Sequence, residues 1–238
     1  MAARTTAGLG YVSPPRTTDH DDDHSCILNQ ADDGPPESHR YFLARRTVLE
    51  MLRDRGCKID ESEITRSLAE FRLTFGDRPD PDQLCISAPL VSKPSKKIMV
   101  VVCGPEEINK AKATNILFNI FIKEHKDSLH RIIIVMGSKM NHFARKEFDM
   151  CQVKVEVFPI TELFVNITKH VSMPKHEIMT TADKEQLLMK HKLTDNQIPY
   201  MMESDAIARY YGLEKKQVVK ITYNSKITGS FVTYRCVK

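Results

Sequence analysis

SDAIARYYGLEKKQVVKITY, residues 204–223, is the stretch from which we interpret the fold of the C-terminal third of this chain. Ser204 is a preferred N-cap residue, and Gly212 suits the left-handed position that often follows a helix, so a short helix is predicted between them. The β-branched run over residues 217–223 predicts a strand. Local physics therefore predicts a helix followed by a strand, and it identifies no chemistry.

Elements on either side of this stretch complete a small module over residues 160–238. Residues 162–169 favour a strand, residues 181–191 a helix, and residues 230–237 a final strand opposite residues 217–223. Valines and aromatic residues alternate with polar residues on the last two strands. This alternation predicts one face on a core and one face available to a partner.

An alternating α/β passage precedes the module. Its elements are predicted, in order, as strand 98–102, helix 106–126, strand 131–135, helix 141–149 and strand 153–158. The continuous β-branched runs imply a buried, largely parallel sheet. The predicted fold class is therefore α/β, α+β overall, with a mixed α/β domain over residues 38–159 followed by the small α+β module.

Two helices are predicted ahead of this sheet. The first has Ser38 as its N-cap and stops at Gly56, and its apolar stripe consists of Tyr41, Ala44, Val48 and Leu52. The second covers residues 61–75, with Ile64, Leu68, Phe71 and Phe75 at helical spacing. The first helix is also basic, with Arg40, Arg45, Arg46, Arg53 and Arg55. A helix facing nucleic acid is one interpretation, and a solvated face over a core helix is favoured because no aromatic stacking platform accompanies it.

Residues 1–37 differ from the rest in composition. They contain two arginines and seven acidic residues, whereas the whole chain has a net charge of +4, so the remainder is basic. Little apolar periodicity is present, which predicts a disordered acidic tail. The run Asp21-Asp22-Asp23-His24 suggests metal binding or mimicry of nucleic-acid charge, but a solvated tail is favoured. A basic folded part suits either nearby nucleic acid or an acidic protein partner.

Composition limits the compartment and the class of protein. The chain has 238 residues, 41% of them hydrophobic and 28% charged, and no apolar run approaches the ~18 residues that cross a bilayer. The N-terminus lacks the apolar segment of a signal peptide. No C-x-x-C pair occurs among the six cysteines, which suggests a reducing compartment: Cys26, Cys57, Cys85, Cys103, Cys151 and Cys236. The apolar neighbours of Cys103, Cys151 and Cys236 predict buried apolar roles for these three.

The sequence motifs argue against a catalytic site. Gly104 follows a strand, but no G-x-G-x-x-G or Walker A pattern occurs, and a helix opening with Glu106-Glu107 would repel a phosphate. A nuclease would need carboxylates such as Asp80 or Asp82 with a D/E-x-K strand, and Glu156 is not followed by the required lysine. Among the histidines of residues 38–238 no two are spaced i, i+4, and no set of cysteines accompanies them as zinc ligands. No catalytic residue, cofactor or metal is expected.

The C-terminal motifs nevertheless carry a resemblance. They are Asn166-Ile167-Thr168-Lys169-His170, Pro174-Lys175-His176, Gln197-Ile198-Pro199, Asp205, Ile207-Ala208-Arg209-Tyr210, Gly212, Gln217-Val218-Val219-Lys220-Ile221 and Thr233-Tyr234-Arg235. Their order resembles the fifth subunit shared by eukaryotic nuclear DNA-directed RNA polymerases. The resemblance implies a jaw domain over residues 38–159, an assembly domain over residues 160–238, a nuclear location and a non-catalytic, architectural role.

Partners follow from the same resemblance. It implies that the assembly domain docks on the largest polymerase subunit among other polymerase subunits, that the jaw domain lies near downstream DNA, and that no membrane is involved. The implied largest-subunit interface consists of Asn166, Ile167, Thr168, His170, Pro174, His176, Pro199, Asp205, Arg209, Tyr210, Gly212, Gln217, Val218, Lys220, Tyr234 and Arg235. The residues implied to lie near DNA are Lys139, Arg145 and Lys146.

Departures from the family pattern affect this interface. Tyr200 stands where most members have arginine, Ala206 replaces proline, and Lys216 replaces glycine in the turn before residue 217. Tyrosine cannot mimic a bidentate arginine, and lysine disfavours positive φ, so we expect rebuilt docking contacts. The loop Ser138-Lys139-Met140 also departs from the common form, which bears on the DNA contact.

The acidic N-terminal extension and residues 38–46 and 210–215 resemble most the diverged plant form of RNA polymerase V. That resemblance implies noncoding transcription for RNA-directed DNA methylation. An autonomous basic DNA-binding regulatory protein remains the alternative, and it differs by binding DNA alone with a salt dependence set by several phosphate contacts.

Overall fold

A β-branched run, residues 132–135, is almost fully buried and lies in the first of two sheets. The computed structural model describes residues 34–225 and 229–238. Helices occupy Pro36–Asp54 (α1), Glu61–Thr65 (α2), Leu68–Phe75 (α3), Lys110–Lys123 (α4), His142–Asp149 (α5), Thr181–His191 (α6) and Ala206–Tyr211 (α7). Strands occupy Ile86–Pro89 (β1), Lys97–Val102 (β2), Leu129–Met136 (β3), Lys154–Pro159 (β4), Lys175–Ile178 (β5), Tyr200–Met201 (β6), Val218–Ser225 (β7) and Gly229–Val237 (β8).

The first sheet has the order β1-β2-β3-β4. Strands β2, β3 and β4 pair in parallel, which confirms the predicted largely parallel sheet. Strand β1 was not predicted, and it adds antiparallel to the edge at β2. Successive residues of β3 pack into two different hydrophobic cores. Ile133 and Val135 pack with α1 and α3, whereas Ile132 and Ile134 pack with α4 and α5. Helices therefore cover both faces of this sheet.

The predicted helix 61–75 is wrong as a single element. It divides at residues 66 and 67, where Ser67 starts a new helix with a reciprocal capping box. The Ser67 hydroxyl oxygen accepts from the amide of Glu70, and the Ser67 amide donates to the Glu70 carboxylate at 2.8 Å. The N-cap at Ser67 therefore divides the segment into two helices in spite of its continuous apolar periodicity.

Two predicted helix starts are also wrong. Helix α1 begins at Pro36, a residue suited to the first turn, so Ser38 is buried inside the helix, where its hydroxyl donates to the carbonyl of Pro35 at 2.9 Å. Helix α4 begins after Asn109, whose side chain accepts from the amide of Lys112 at 2.9 Å. The acidic pair at residues 106 and 107 therefore precedes α4. The predicted helix ends before Gly56 and at Phe75 are confirmed, and the glycines that follow, Gly56 and Gly76, both have positive φ.

The predicted strand over residues 162–169 is wrong. Two 3-10 helices, Ile160–Leu163 and Ile167–Lys169, occupy this segment. The side chain of Asn166 accepts from the amide of Thr168 at 3.0 Å and turns the backbone between them. Because Ile160 and Leu163 pack into the core beneath α1, the chain continues to contact the first sheet beyond residue 159. The boundary between residues 159 and 160 stays a prediction.

The second sheet has the order β5-β7-β8-β6. Strands β7 and β8 form an antiparallel hairpin from the pair Val218 and Cys236 to the pair Ser225 and Gly229, which confirms the predicted pairing. Strand β5 pairs antiparallel with β7, and the two-residue β6 pairs in parallel with β8. The predicted helix 181–191 is confirmed as α6.

Alternation of one buried and one free face is wrong for this hairpin. At its base both faces are covered, because Val218 packs with Leu187 of α6 while Val219 packs with Ala208 of α7. Toward the tip both faces are exposed, as the successive residues Phe231 and Val232, which point to opposite faces, show.

Lys216 adopts φ +69°, the left-handed conformation that glycine suits. Its amide donates to the carbonyl of Val237 at 2.8 Å, and its carbonyl accepts from Lys184 Nζ at 2.9 Å. The turn therefore keeps the geometry expected of glycine in spite of the lysine, at a cost of about 1 kcal/mol. The predicted acidic tail and Cys26 lie outside the described residues, apart from residues 34–37.

Candidate assembly interface

Helix α7 is held at both ends by its own sequence. Its N-cap is Asp205, whose carboxylate accepts from the amide of Ile207 at 2.9 Å, so the predicted capping by Ser204 is wrong. Its C-cap is Gly212 at φ +63°, as the sequence predicts. This geometry directs the side chains of Arg209 and Tyr210 toward the first sheet and α1.

Arg55 binds the C-terminal end of α7 from the end of α1. Its Nε donates to the carbonyl of Tyr210 at 2.8 Å, and its Nη2 donates to the carbonyl of Arg209 at 2.6 Å. Carbonyls in the last turn of a helix lack partners within the helix, and a cation there also complements the helix dipole. Arg55 was predicted to lie on a solvated basic face, and its side chain is instead 4% exposed.

A chain of charges continues from Arg55. Glu156 on β4 forms ion pairs with Arg55, at 2.7 Å, and with Arg131 on β3, and Arg131 also pairs with Glu214 at 2.7 Å. Burial lowers the pKa of the Arg55 guanidinium, and the charge of Glu156 opposes that shift. Glu156 therefore offsets two buried cations, and we call these four residues the charge chain.

A second polar cluster joins α1 to the segment 166–169. Asn166 is buried and donates through Nδ2 to Glu50 at 2.7 Å and to the Tyr210 hydroxyl at 3.0 Å. The Tyr210 hydroxyl donates in turn to Asp54 at 2.8 Å, and Lys169 Nζ pairs with Glu50 at 2.7 Å. We call these five residues the tyrosine cluster. Together with the charge chain they connect the two sheets within one unit, residues 34–238.

Replacing Tyr210 with phenylalanine is expected to destabilise the chain by about 1–3 kcal/mol, because Asp54 and Asn166 each lose a buried hydrogen-bond partner. Burial, with further contributions from Asp54, raises the pKa of Tyr210 above its usual value of 10. The folded state thus retains a proton that the unfolded state releases above pH 10, so wild-type stability falls there with rising pH. The variant should lack this contribution, and urea unfolding between pH 7 and 10.5 measures both effects.

Tyr223→Phe is the matched control, since Tyr223 is exposed at the hairpin tip and forms no such network. It should unfold at the same urea concentration as wild type. Equal stability of Tyr210→Phe and Tyr223→Phe at pH 7 would contradict the structural importance of the cluster.

Arg209 anchors α7 to β4. Its Nη1 pairs with Glu162 at 2.8 Å, its Nη2 donates to the carbonyl of Val157 at 2.8 Å, and its guanidinium lies 4.6 Å from the centre of the Phe158 ring. Thus Asn166, Asp205, Arg209, Tyr210 and Gly212 of the predicted interface are engaged in contacts within the chain.

Other predicted interface residues border an open groove of about 800 Å³. Thr168, Pro174 and His176 line it together with the exposed tip residue Tyr223 and the fully exposed Val171. Partial burial lowers the pKa of His176, whereas the His170 ring nitrogen accepts from the amide of Ser172 at 3.2 Å. The partial burial of His176 and the hydrogen bond of His170 therefore suit structural or contact roles that need no metal.

The remaining members lie on or beside the second sheet. Lys220 pairs with Glu177 at 3.3 Å and is opposite Tyr234, and Arg235 is exposed. Gln217 accepts from the amide of Glu214 at 2.8 Å. Of the other members, Val218 is buried, Ile167 is half-buried and Pro199 is exposed. Tyr200, one of the departures, is exposed with Lys238 Nζ 5.2 Å from its ring centre.

The proposed DNA-facing residues lie at one end of the first sheet. Lys139 follows β3, and Arg145 and Lys146 lie on α5, and all three are exposed. No ion pair joins them to any residue in the described part of the chain. Their positive charges are therefore not compensated by ion pairs within the described residues.

The residues considered for other chemistry serve structural roles. Asp80 caps a 3-10 helix by accepting from the amide of Asp82 at 3.1 Å, and Glu156 is occupied by two arginines. Within residues 34–225 and 229–238, no cluster of three or more His, Cys, Asp and Glu side chains could hold a metal. Burial raises the pKa of both Cys57 and Cys103 to about 11, which disfavours their thiolates. No helix in the described ranges is long and apolar enough to cross a membrane.

Sequence reasoning missed Glu50, Arg55, Arg131 and Glu156. Arg131 and Glu156 are 25 residues apart, but their other partners and those of Glu50 and Arg55 lie 83 to 155 residues away in the chain. Arg131 and Glu156 could have been identified as paired residues, because each is a charged residue inside a strand predicted to be buried.

Comparison with known proteins gives matches along most of the chain. The models for RNA polymerase Rpb5, N-terminal domain, and RNA polymerase Rpb5, C-terminal domain, match residues 35–120 and 165–237. DNA-directed RNA polymerase V subunit 5C of Arabidopsis thaliana is 49% identical over 217 residues, 91% of this chain and 92% of that protein. DNA-directed RNA polymerases IV and V subunit 5B of the same plant is 43% identical over 201 residues, 84% and 91% of the two chains. DNA-directed RNA polymerases I, II, and III subunit RPABC1 of Caenorhabditis elegans is 34% identical over 206 residues, 84% and 97% of the two chains.

Proposed function

The chain belongs to the RNA polymerase Rpb5 family, and we propose from this premise that it is the non-catalytic fifth subunit of a plant nuclear RNA polymerase, namely RNA polymerase V. The observation that supports the assignment is the difference in sequence identity between this chain and two of its relatives. The identity is 49% to a polymerase V subunit and 34% to a subunit of polymerases I, II and III. Its partners are then the other subunits of that polymerase, its location is the nucleus, and its pathway is noncoding transcription for RNA-directed DNA methylation.

The largest polymerase subunit is the proposed docking partner of the C-terminal module. Support comes from the exposed or half-buried members of the predicted interface, which border the groove and the second sheet: Ile167, Thr168, His170, Pro174, His176, Pro199, Gln217, Lys220, Tyr234 and Arg235. The buried members act by positioning. The tyrosine cluster fixes the segment that carries Thr168, and the caps of α7 fix the start of β7.

Downstream DNA is the proposed neighbour of the first domain at Lys139, Arg145 and Lys146. Their exposure and lack of ion pairs within the described residues support contact with phosphates. Three cations on so small a surface give weak, salt-sensitive binding by themselves. They suit a subunit held near DNA by its complex better than an autonomous DNA-binding regulator.

Copurification of the tagged full chain from plant nuclear extract tests the proposal, with mass spectrometry to identify the polymerase subunits. Wild type should recover the largest subunit of RNA polymerase V, and a double variant with Lys220→Ala and Arg235→Ala should recover less. A control with Lys58→Ala and Lys93→Ala removes the same charge from exposed positions of the first domain and should recover the wild-type amount.

The outcomes separate the assignments. Recovery of the largest subunit of polymerase II in place of that of polymerase V would retain the architectural role and overturn the pathway. Recovery of no polymerase subunit, together with tight binding of isolated chain to DNA, would establish the autonomous regulator.

A further inference from the structure

Strand β8 has an edge that is free for most of its length. The strand covers nine residues, but β6 pairs only with its last two, Cys236 and Val237. From Gly229 to Arg235, no described strand lies on the side of β8 opposite β7.

The hydrogen bonds at the end of β8 show which main-chain groups lie on this edge. The amides of Cys236 and Lys238 donate to the carbonyls of Pro199 and Met201 on the β6 side, whereas the amide of Val237 donates to Gln217 on the β7 side. Successive residues of a strand direct their amide and carbonyl groups to opposite sides. The same alternation directs the groups of Ser230, Val232 and Tyr234 outward, which leaves three donors and three acceptors along the edge.

This edge also lacks the features that usually prevent an edge strand from pairing with another chain. Edge strands are commonly interrupted by proline, lysine or a bulge. Residues 229–235 contain neither proline nor lysine, and their register with β7 continues without a shift. The side chains of Phe231 and Val232 are 59% and 40% exposed. The strand is thus an extended, accessible template for pairing.

Side chains beside the edge define the chemistry of an occupant. On one face of the tip Phe231 lies 6.3 Å from Tyr223 between ring centres, and on the opposite face Val232 is exposed. Arg235 is exposed and has no ion pair with any residue among 34–225 and 229–238. A complementary strand would place apolar side chains near Phe231 and Val232 and a carboxylate near Arg235.

We propose that an extended segment of the largest polymerase subunit, with apolar residues and an acidic residue at these places, adds to the second sheet as a strand along β8. This inference rests on the proposed function for the identity of the partner. Main-chain hydrogen bonds to Ser230, Val232 and Tyr234 supply the binding, and the flanking side chains supply the selectivity. The result is a five-stranded sheet shared by two subunits.

Val232→Pro tests the edge without removing a bond of the hairpin, because the amide of Val232 points away from β7. Val232→Ile is the matched control, since it keeps the amide of residue 232 and an apolar β-branched side chain at the same place on the edge. Thermal unfolding of both purified variants verifies their folding. In copurification from plant nuclear extract, Val232→Pro should recover the largest subunit at about a tenth of the wild-type amount, and Val232→Ile at the wild-type amount.

Hydrogen exchange on the wild-type complex gives a second test that needs no variant. The amides of Ser230, Val232 and Tyr234 should exchange at least about tenfold more slowly in the complex than in the free chain, whereas those of Phe231 and Thr233, which face β7, should change less.

Equal recovery by wild type and Val232→Pro, or unchanged exchange at the three outward amides in a complex that contains the largest subunit, would overturn strand addition and leave the proposed function standing. Failure of wild type to recover any polymerase subunit would overturn both. A free chain that elutes as a dimer and becomes monomeric on Val232→Pro would identify a second copy as the occupant and overturn the proposed one.

Discussion

Glu156→Ala should destabilise the folded chain by about 3–5 kcal/mol, the cost of breaking a buried ion pair and leaving its partner uncompensated. The Arg55 and Arg131 side chains are 4% and 7% exposed, and Glu156 is the carboxylate they share. Its loss would leave two like charges close together with little water to solvate them. Arg55 would also hold the end of α7 less firmly, so the two sheets should separate more readily.

Urea unfolding followed by circular dichroism measures this effect, with Glu214→Ala as the matched control. Glu214 contacts the same Arg131, but its side chain is 58% exposed, so its removal should cost less than about 1 kcal/mol. Similar losses for the two variants would show that the burial of Glu156 is unimportant. Glu156→Gln keeps the shape and removes the charge, and it should lie between wild type and Glu156→Ala.

The central strands β2 and β3 of the first sheet could be predicted because they contain largely continuous β-branched runs. Residues 98–102 and 131–135 needed no distant information, since a run buried on both faces has this composition wherever it occurs. The break at Ser67 was also readable, as Ser67 and Glu70 have the spacing of a capping box. Apolar periodicity on both sides of the break concealed it.

The candidate site was less accessible from the sequence, because its partners are distant in the chain. Arg55 has the composition of a surface residue, and only the fold brings it to the end of α7, 155 residues later. The segment 162–169 has residues suited to a strand, but the buried hydrogen bonds of Asn166 to Glu50 and Tyr210 favour a turn. Motifs that identify the family therefore include residues that join the two sheets as well as residues that face outward.

Gly212→Ala should destabilise the chain by about 2–4 kcal/mol through two separable effects. Gly212 has φ +63°, where a Cβ costs about 1 kcal/mol in any surroundings. A Cβ at this position would also lie 2.9 Å from Cζ of Arg55 and 3.2 Å from Nη1 of Arg131. Neither guanidinium can move freely, because both are paired with Glu156, so the added methyl group should displace the charge chain.

Gly56→Ala separates the two effects, because Gly56 has φ +81° and no neighbouring atom within 4 Å of a built Cβ. It should show only the backbone cost of about 1 kcal/mol. The excess loss in Gly212→Ala, measured by urea unfolding, then reports on the approach of the arginines, and it should largely vanish when both proteins also carry Arg55→Ala, since the methyl group would then have space. Equal losses for the two glycine variants in the wild-type background would show that α7 and the charge chain are not in close contact.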